Sequence, residues 1–360
     1  MTHSDILIIG GGVAGLTAAA ALPPDASVTL LEAEDQLAFH ASGRSAAMFI
    51  ESYGNATVRA LNEASTDHHL HADGGVLKPR AVMLLARHGD AEAFATEAAD
   101  FGAAPMPLDE AQQRFPLLDP ATTGHAALRE DTYDLDTDLL IQNARRTALS
   151  HGAQILSGER VTAIEKGQHW QVTTSKGTHT AGIVINAAGA WADQIAALAG
   201  LPPIGLTPFR RSMARIPLPD GLDPANWPFV DGIGEAWYAK PDAGRLIVSP
   251  SEEHASEPMD AWADDMVIAE GLARFEEFVT MEVTRVIATW AGLRTFAPDR
   301  ALVIGPEPLD PSFFWLAGQG GYGFQTAPAA ARLIRAHVTG AAPELPAATV
   351  TALTPARFRA

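Results

Sequence analysis

The sequence contains no cysteine, so disulfides, thiolate nucleophiles, zinc–thiolate sites and a cofactor tethered through sulfur are excluded. Positive charge is also scarce: 25 Lys and Arg stand against 43 Asp and Glu, a formal charge of −18. Such a surface repels phosphate backbones and anionic lipid headgroups, which argues against nucleic acid as a partner. Long apolar runs are missing. The longest fall well short of the ~20 residues a membrane span needs, and the opening "MTHSDILIIGGG" carries no basic leader, so a soluble, cytoplasmic protein is expected. No serine sits in a G-x-S-x-G elbow, and no repeat is present. What remains is ample for two domains: 360 residues, 47% of them hydrophobic.

The strongest positive signal lies in "DILIIGGGVAGLTAAAALPPDASVTLLEAE". An apolar run passes through Gly10, Gly12 and Gly15 into an Ala/Leu-rich helical pattern and then a second apolar run closed by Glu32. This is a strand–turn–helix–strand unit carrying G-x-G-x-x-G. The first glycine permits the turn, the second lets a pyrophosphate approach the backbone, and the third lets helix pack on strand. The helix N-terminus offers free N–H groups to an anion. Glu32, about twenty residues on, can accept both hydroxyls of an adenosine ribose. An adenine dinucleotide is expected, and the fingerprint alone leaves NAD and FAD open.

Two later segments repeat the theme. Alternating residues from Arg160 to Ala192 predict a hairpin ending in "INAAGAWA", and an apolar run leads into "LAGQGGYGFQTA", with Gly318, Gly320, Gly321 and Gly323 before another helix. The intervening segments are richer in Pro, Trp and charge. The expected fold class is α/β: a Rossmann-like FAD-binding domain (1–75, 130–195 and 289–345) with a mixed α+β substrate domain (76–129 and 196–288) inserted discontinuously, and a frayed tail over 346–360.

The motifs "DILIIGGGVAGL", "LLEAE", "HASGRSAA", "INAAGAWA", "WAGLRTFAPDR" and "LAGQGGYGFQTA", in this order from residue 5 to residue 327, resemble the D-amino-acid oxidase superfamily of flavoproteins. Within it, "GRSAA", "RRS", "YxKPDAG", "WAGLR" and "QGGYG" are most similar to the D-arginine dehydrogenase branch. The resemblance implies FAD, held noncovalently since no cysteine is present. It places Ser42, Gly43, Arg44, Ser45 and Ala46 under the flavin and its diphosphate. It assigns Val161, Gly189, Trp191, Gly292, Gly320, Gly321, Tyr322, Gly323, Gln325 and Thr326 to the cofactor's surroundings, alongside Gly10, Gly12, Gly15 and Glu32.

The same resemblance makes Arg294 and Arg211 the binders of a substrate carboxylate, with Tyr238 and Tyr53 as hydroxyls that contact carboxylate or amine. Strand alternation would send only one of Arg210 and Arg211 inward. Met48, Ile50, Val82 and Gly321 would line the substrate pocket. "KPRAVMLL" places Ala81 or Val82 where the D-arginine branch carries a glutamate, so neutral, mainly apolar D-amino acids are expected. The implied reaction moves hydride from Cα to flavin N5 and yields an imino acid, hydrolysed to a 2-oxo acid and ammonia. A secondary-amine oxidase is the alternative, and a noncatalytic flavin-binding assembly protein is a third reading. Oxygen or a quinone could reoxidise the flavin. The cluster "DHHLHAD" puts His68, His69 and His71 on a helix without a shared face, and a solvated surface rather than a metal site is expected.

Overall fold

The computed structural model describes residues 2–359. Its first sheet is built on parallel strands. The strand Thr2–Ile9 lies between Val28–Leu31 and Thr178–Asn186, with Gln154–Leu156 and Asp310–Ala317 flanking them. Ile6, Leu7 and Ile8 are almost completely buried, as a parallel strand covered on both faces requires. The antiparallel strands Val161–Lys166 and Trp170–Thr174 extend this sheet through the hairpin read from the sequence.

Helix Val13–Ala21 follows Thr2–Ile9 after three glycines and buries Leu16, Ala18 and Ala19 against the sheet. Helices Thr137–Ser150 and Gly323–Thr339 pack beside it. Gly10 takes a φ of 112°, and a Cβ there would stand 2.4 Å from the Ala187 carbonyl oxygen. Gly15 needs its missing side chain for a different reason: a Cβ would lie 1.9 Å from the Gly10 carbonyl oxygen. The turn and the helix–strand contact are therefore both set by glycine.

The second sheet has nine strands. Its central run places Arg245–Ser249, Trp237–Asp242, Phe229–Gly232, Val82–Arg87 and Thr123–Arg129 side by side, and Thr207–Ile216 joins it to Ala288–Phe296. A core containing Met83, Val230, Trp237 and Phe275 fills one face. Met48–Phe49, Tyr133–Leu135 and Leu77–Pro79 form a small three-stranded sheet.

Three expectations change. The strand Ala288–Phe296 belongs to the second sheet, because it pairs along Thr207–Ile216 over nine residue positions, so the crossing back to the first sheet comes after Phe296 and not at 289. The tail is not frayed: Ala347–Leu353 is helical, Leu353 is fully buried, Arg357 pairs with Asp299, and Arg359 pairs with the buried Glu307 at 2.8 Å. The histidine cluster is not uniformly solvated either. His69 is fully buried, with its Nε2 2.9 Å from the Gln325 carbonyl oxygen, and burial pushes its pKa down to about 4. No helix among the described residues is long and apolar enough to cross a membrane.

Candidate active site

One continuous cavity runs from the glycine turn of the first sheet to the strands of the second. At its first end Gly12 caps helix Val13–Ala21 without a side-chain hydrogen bond. Ser42 Oγ accepts from the Val13 N–H at 3.0 Å. Glu32 closes this end: its Oε2 accepts from the Gly11 N–H at 2.7 Å and its Oε1 from the Glu34 N–H at 2.9 Å. Each carboxylate oxygen keeps a further lone pair for a ribose hydroxyl. A glycine-floored helix N-terminus with an acid at the end of the next strand fits an adenine dinucleotide.

The middle of the cavity is lined by Ser42, Arg44, Ser45, Ala46, Val161, Gly189, Trp191 and Gly292, and its far flank by Gly320, Gly321, Gly323 and Gln325. Gly15, Gly43, Tyr322 and Thr326 do not line it. Gly15 sits under the turn, Gly43 packs on the Ala38 carbonyl, and Thr326 is buried with its hydroxyl donated to the Tyr322 carbonyl at 2.9 Å. Arg44 lines the cavity with its chain, but its guanidinium is spent elsewhere. It donates to the Ala261 and Ala291 carbonyls at 2.7 and 3.0 Å and pairs with Asp260 at 2.5 Å. Arg44 thus ties the segment Ala41–Arg44 to the second sheet. Gln325 is likewise structural in its contacts, accepting from the Ile50 N–H at 2.8 Å.

Two guanidinium groups line the end of the cavity beside the second sheet. Strand Ala288–Phe296 delivers Arg294 to the cavity beside Gly321, and Thr207–Ile216 delivers Arg211. Of the adjacent pair, Arg211 is 3% exposed, and Arg210 turns toward Asp264 and Glu252. Arg211 Nε donates to the Glu252 carbonyl at 3.0 Å, but its buried Nη2 has no hydrogen-bond partner, its nearest carboxylates being Glu253 at 3.7 Å and Glu235 at 3.9 Å. Burial first, and the positive charge of Arg294 second, push the Arg211 pKa down. Arg294 forms no ion pair with a carboxylate among the described residues. Arg294, with no carboxylate partner among the described residues, and Arg211, whose Nη2 has only long ion pairs and no hydrogen bond, leave guanidinium N–H groups for a small anion such as a carboxylate.

Tyr53 and Tyr238 stand behind this pair and not on the wall. Tyr53 packs on Tyr322 with ring centroids 5.4 Å apart, and burial, then Glu235, pushes its pKa up to about 12. Tyr238 stacks on Phe229 at 5.1 Å. Met48 lines the cavity, while Ile50 and Val82 pack with it in one apolar cluster. Val82, 2% exposed, is a core residue of that cluster.

Sequence reasoning missed several wall residues. Glu34, which pairs with His40 at 3.1 Å and Arg160 at 2.9 Å, stands beside Glu32. His40 in turn lies 4.6 Å from the Trp191 ring. Met213, Met259, Thr295 and Gln319 also line the cavity. Glu34, His40, Thr295 and Gln319 lie within the quoted motifs "LLEAE", "HASGRSAA", "WAGLRTFAPDR" and "LAGQGGYGFQTA", whereas Met213 and Met259 lie in none of them.

The family model for DAO, FAD dependent oxidoreductase, matches residues 5–336. The chain belongs to this family. Its cofactor is FAD. Curated relatives include the bovine (Bos taurus) FAD-dependent oxidoreductase domain-containing protein 1, 27% identical over 64% of this chain and 54% of the relative, and the Pseudomonas putida glycine oxidase, 29% identical over 50% and 47%. The chain thus spans about half the length of the curated relatives it matches. Among solved structures, L-proline dehydrogenase from P. horikoshii superposes with a TM-score of 0.84 at 22% identity, covering 99% of this chain and 98% of that one. At that identity the likeness is one of fold.

Proposed function

We propose that this flavoprotein oxidises the α C–N bond of a D-amino acid, giving an imino acid that water hydrolyses to a 2-oxo acid and ammonia. The observation that carries the reading is the Arg294–Arg211 pair in the cavity wall, beside the glycine-rich flank. When bound, FAD supplies the hydride acceptor. The chain's own residues do the positioning. Arg294 holds the substrate carboxylate, with Arg211 Nη2 as its second cation. Tyr53, off the cavity wall and kept protonated by burial, does not serve as a base at ordinary pH. Met48 and its apolar neighbours receive the first methylenes of the side chain. Fixing the carboxylate on one side and the side chain on the other sets which hydrogen faces the acceptor, the geometric basis of chiral choice.

A second reading, oxidation of a secondary amine such as an N-methyl or cyclic amino acid, keeps the same carboxylate receptor and draws support from the proline dehydrogenase likeness in fold. Anaerobic flavin reduction screened over D-, L- and N-methyl amino acids tests both. Reduction by D-amino acids supports the first reading. Reduction by N-substituted compounds alone would replace it with the second, and no reduction by any of them would overturn both.

A further inference from the structure

The chain from Glu257 to Ala263 links the short strand His254–Ala255, paired on Thr207–Ile216, to helix Asp265–Glu276. It takes no regular form. Pro258 has no N–H to donate, and Asp264 ends the segment by capping the helix, its Oδ1 accepting from the Met266 N–H at 3.0 Å. Among the described residues none of the peptide groups from Glu257 to Ala263 takes part in a backbone–backbone hydrogen bond. A stretch held so sparsely opens at low cost. Yet it is part of the cavity wall: Met259 and Ala261 line the cavity, and both pack with Ala190, Trp191 and Leu293.

The polar hold on this segment comes from one side chain of the turn Ala41–Arg44. The Arg44 carbonyl accepts from Trp290 Nε1 at 3.2 Å, and its Nη1 donates to the Ala291 carbonyl at 3.0 Å, so the guanidinium is anchored on the strand Ala288–Phe296. From that fixed point it grips the segment twice, at the Ala261 carbonyl and at Asp260. The Asp260 side chain is 64% exposed, so the grip sits on a solvent-facing rim. The contacts turned to the cavity are the apolar ones of Met259 and Ala261.

We propose that residues 257–263 are a strap closed across the cavity that takes FAD, latched by Arg44 on Asp260, and that release of this latch is the step by which FAD enters and leaves. The strap rests on FAD binding alone and is independent of which amine is oxidised. Asp260 does not line the cavity, so it acts through Arg44 and the strap, as a positioning residue. A latch that closes equally with and without the cofactor slows entry and exit by the same factor and leaves the affinity unchanged. A residue of the wall itself would change the affinity instead.

Release is measured by mixing the holoenzyme with an excess of a second apoflavoprotein that takes up free FAD, and entry by stopped-flow mixing of the apoprotein with FAD. Asp260→Asn and Asp260→Ala should each speed both steps by about three- to fivefold, the size of an exposed ion pair, with Kd within about twofold of wild type. Added NaCl should speed release from the wild type, by screening the pair, and not from either variant. These rate constants are read on bound flavin and do not depend on the folded fraction. Unchanged rates in both variants, or a salt acceleration that survives in them, would overturn the latch. Faster release with unchanged entry would also overturn it, since Asp260 would then shape the wall and not gate it. Each of these outcomes leaves amine oxidation standing, because flavin reduction by substrate reads that separately.

Discussion

On the side of the first sheet the cavity wall includes stretches of glycine main chain: the Gly10–Gly12 turn at the start of helix Val13–Ala21 and the Gly320–Gly323 flank. On the side of the second sheet it presents side chains, with Arg294 and Arg211 brought from strands 72 or more residues apart in sequence (288 − 216) yet paired in space. A main-chain site needs a local pattern of small residues, and a short window of sequence contains all of it. A side-chain site needs long-range register, which no short window contains. The two halves should therefore fail differently when altered: the first in cofactor retention, the second in turnover with cofactor retained.

The largest expected effect is in the second half. Arg294→Met should cost about 2 to 5 kcal/mol of transition-state binding, roughly thirty- to several-thousand-fold in kcat/KM, with flavin content near that of the wild type. Steady-state kinetics alongside the flavin-to-protein absorbance ratio checks this. Loss of flavin in parallel would show that the two halves are one unit.

A control lies outside both halves. Arg359→Ala leaves buried Glu307 with Trp315 as its remaining side-chain donor and should destabilise the fold by about 3 kcal/mol. Burial alone would raise the Glu307 pKa, but hydrogen bonds from Arg359 and Trp315 outweigh it and hold the carboxyl below its ordinary 4.5. A depressed carboxylate pKa contributes stability that is present above the unfolded value and lost as pH falls through the folded one. The Tm difference between wild type and Arg359→Ala should therefore be widest above about pH 4.5 and close in acid. A pH-independent gap would assign the loss to packing of the tail.

The same division explains what could be read in advance. The turn, the acid closing the strand Val28–Leu31 and the hairpin were legible because each is a contiguous pattern. The placement of Ala288–Phe296 was not, since its nine-position pairing is with residues about 80 earlier, and the tail reads as frayed because Asp299 and Glu307, the partners of Arg357 and Arg359, lie 58 and 52 residues away. Arg211 was separable from Arg210 by alternation.

Glu32→Ala should show the opposite failure to Arg294→Met. The carboxylate fixes the Gly11 and Glu34 N–H groups as well as offering acceptors to the ribose, so its loss should weaken FAD binding by about 1 to 3 kcal/mol, or roughly five- to a hundredfold in Kd. Once FAD is supplied at saturation, turnover per bound flavin should stay near wild type. A drop in turnover per flavin would mean that the first half also shapes the chemistry.

The smallest effect should come from Tyr53, which touches neither failure cleanly. Its ring packs on Tyr322 in both wild type and Tyr53→Phe, so only the hydroxyl is lost. With its pKa pushed up to about 12 by burial and by Glu235, that hydroxyl stays protonated over the whole working range and cannot take up the substrate's proton. Removing a neutral hydroxyl behind the arginine pair should cost about 0.5 to 1.5 kcal/mol, roughly two- to twelvefold in kcat/KM. The shape of the pH profile should be unchanged, because the limbs belong to the substrate amine and to other groups. If instead a basic limb vanished in Tyr53→Phe, Tyr53 would be titrating during turnover. Binding of FAD and substrate would then have to lower its pKa by several units, and the second half of the cavity would be a site of proton transfer as well as of positioning.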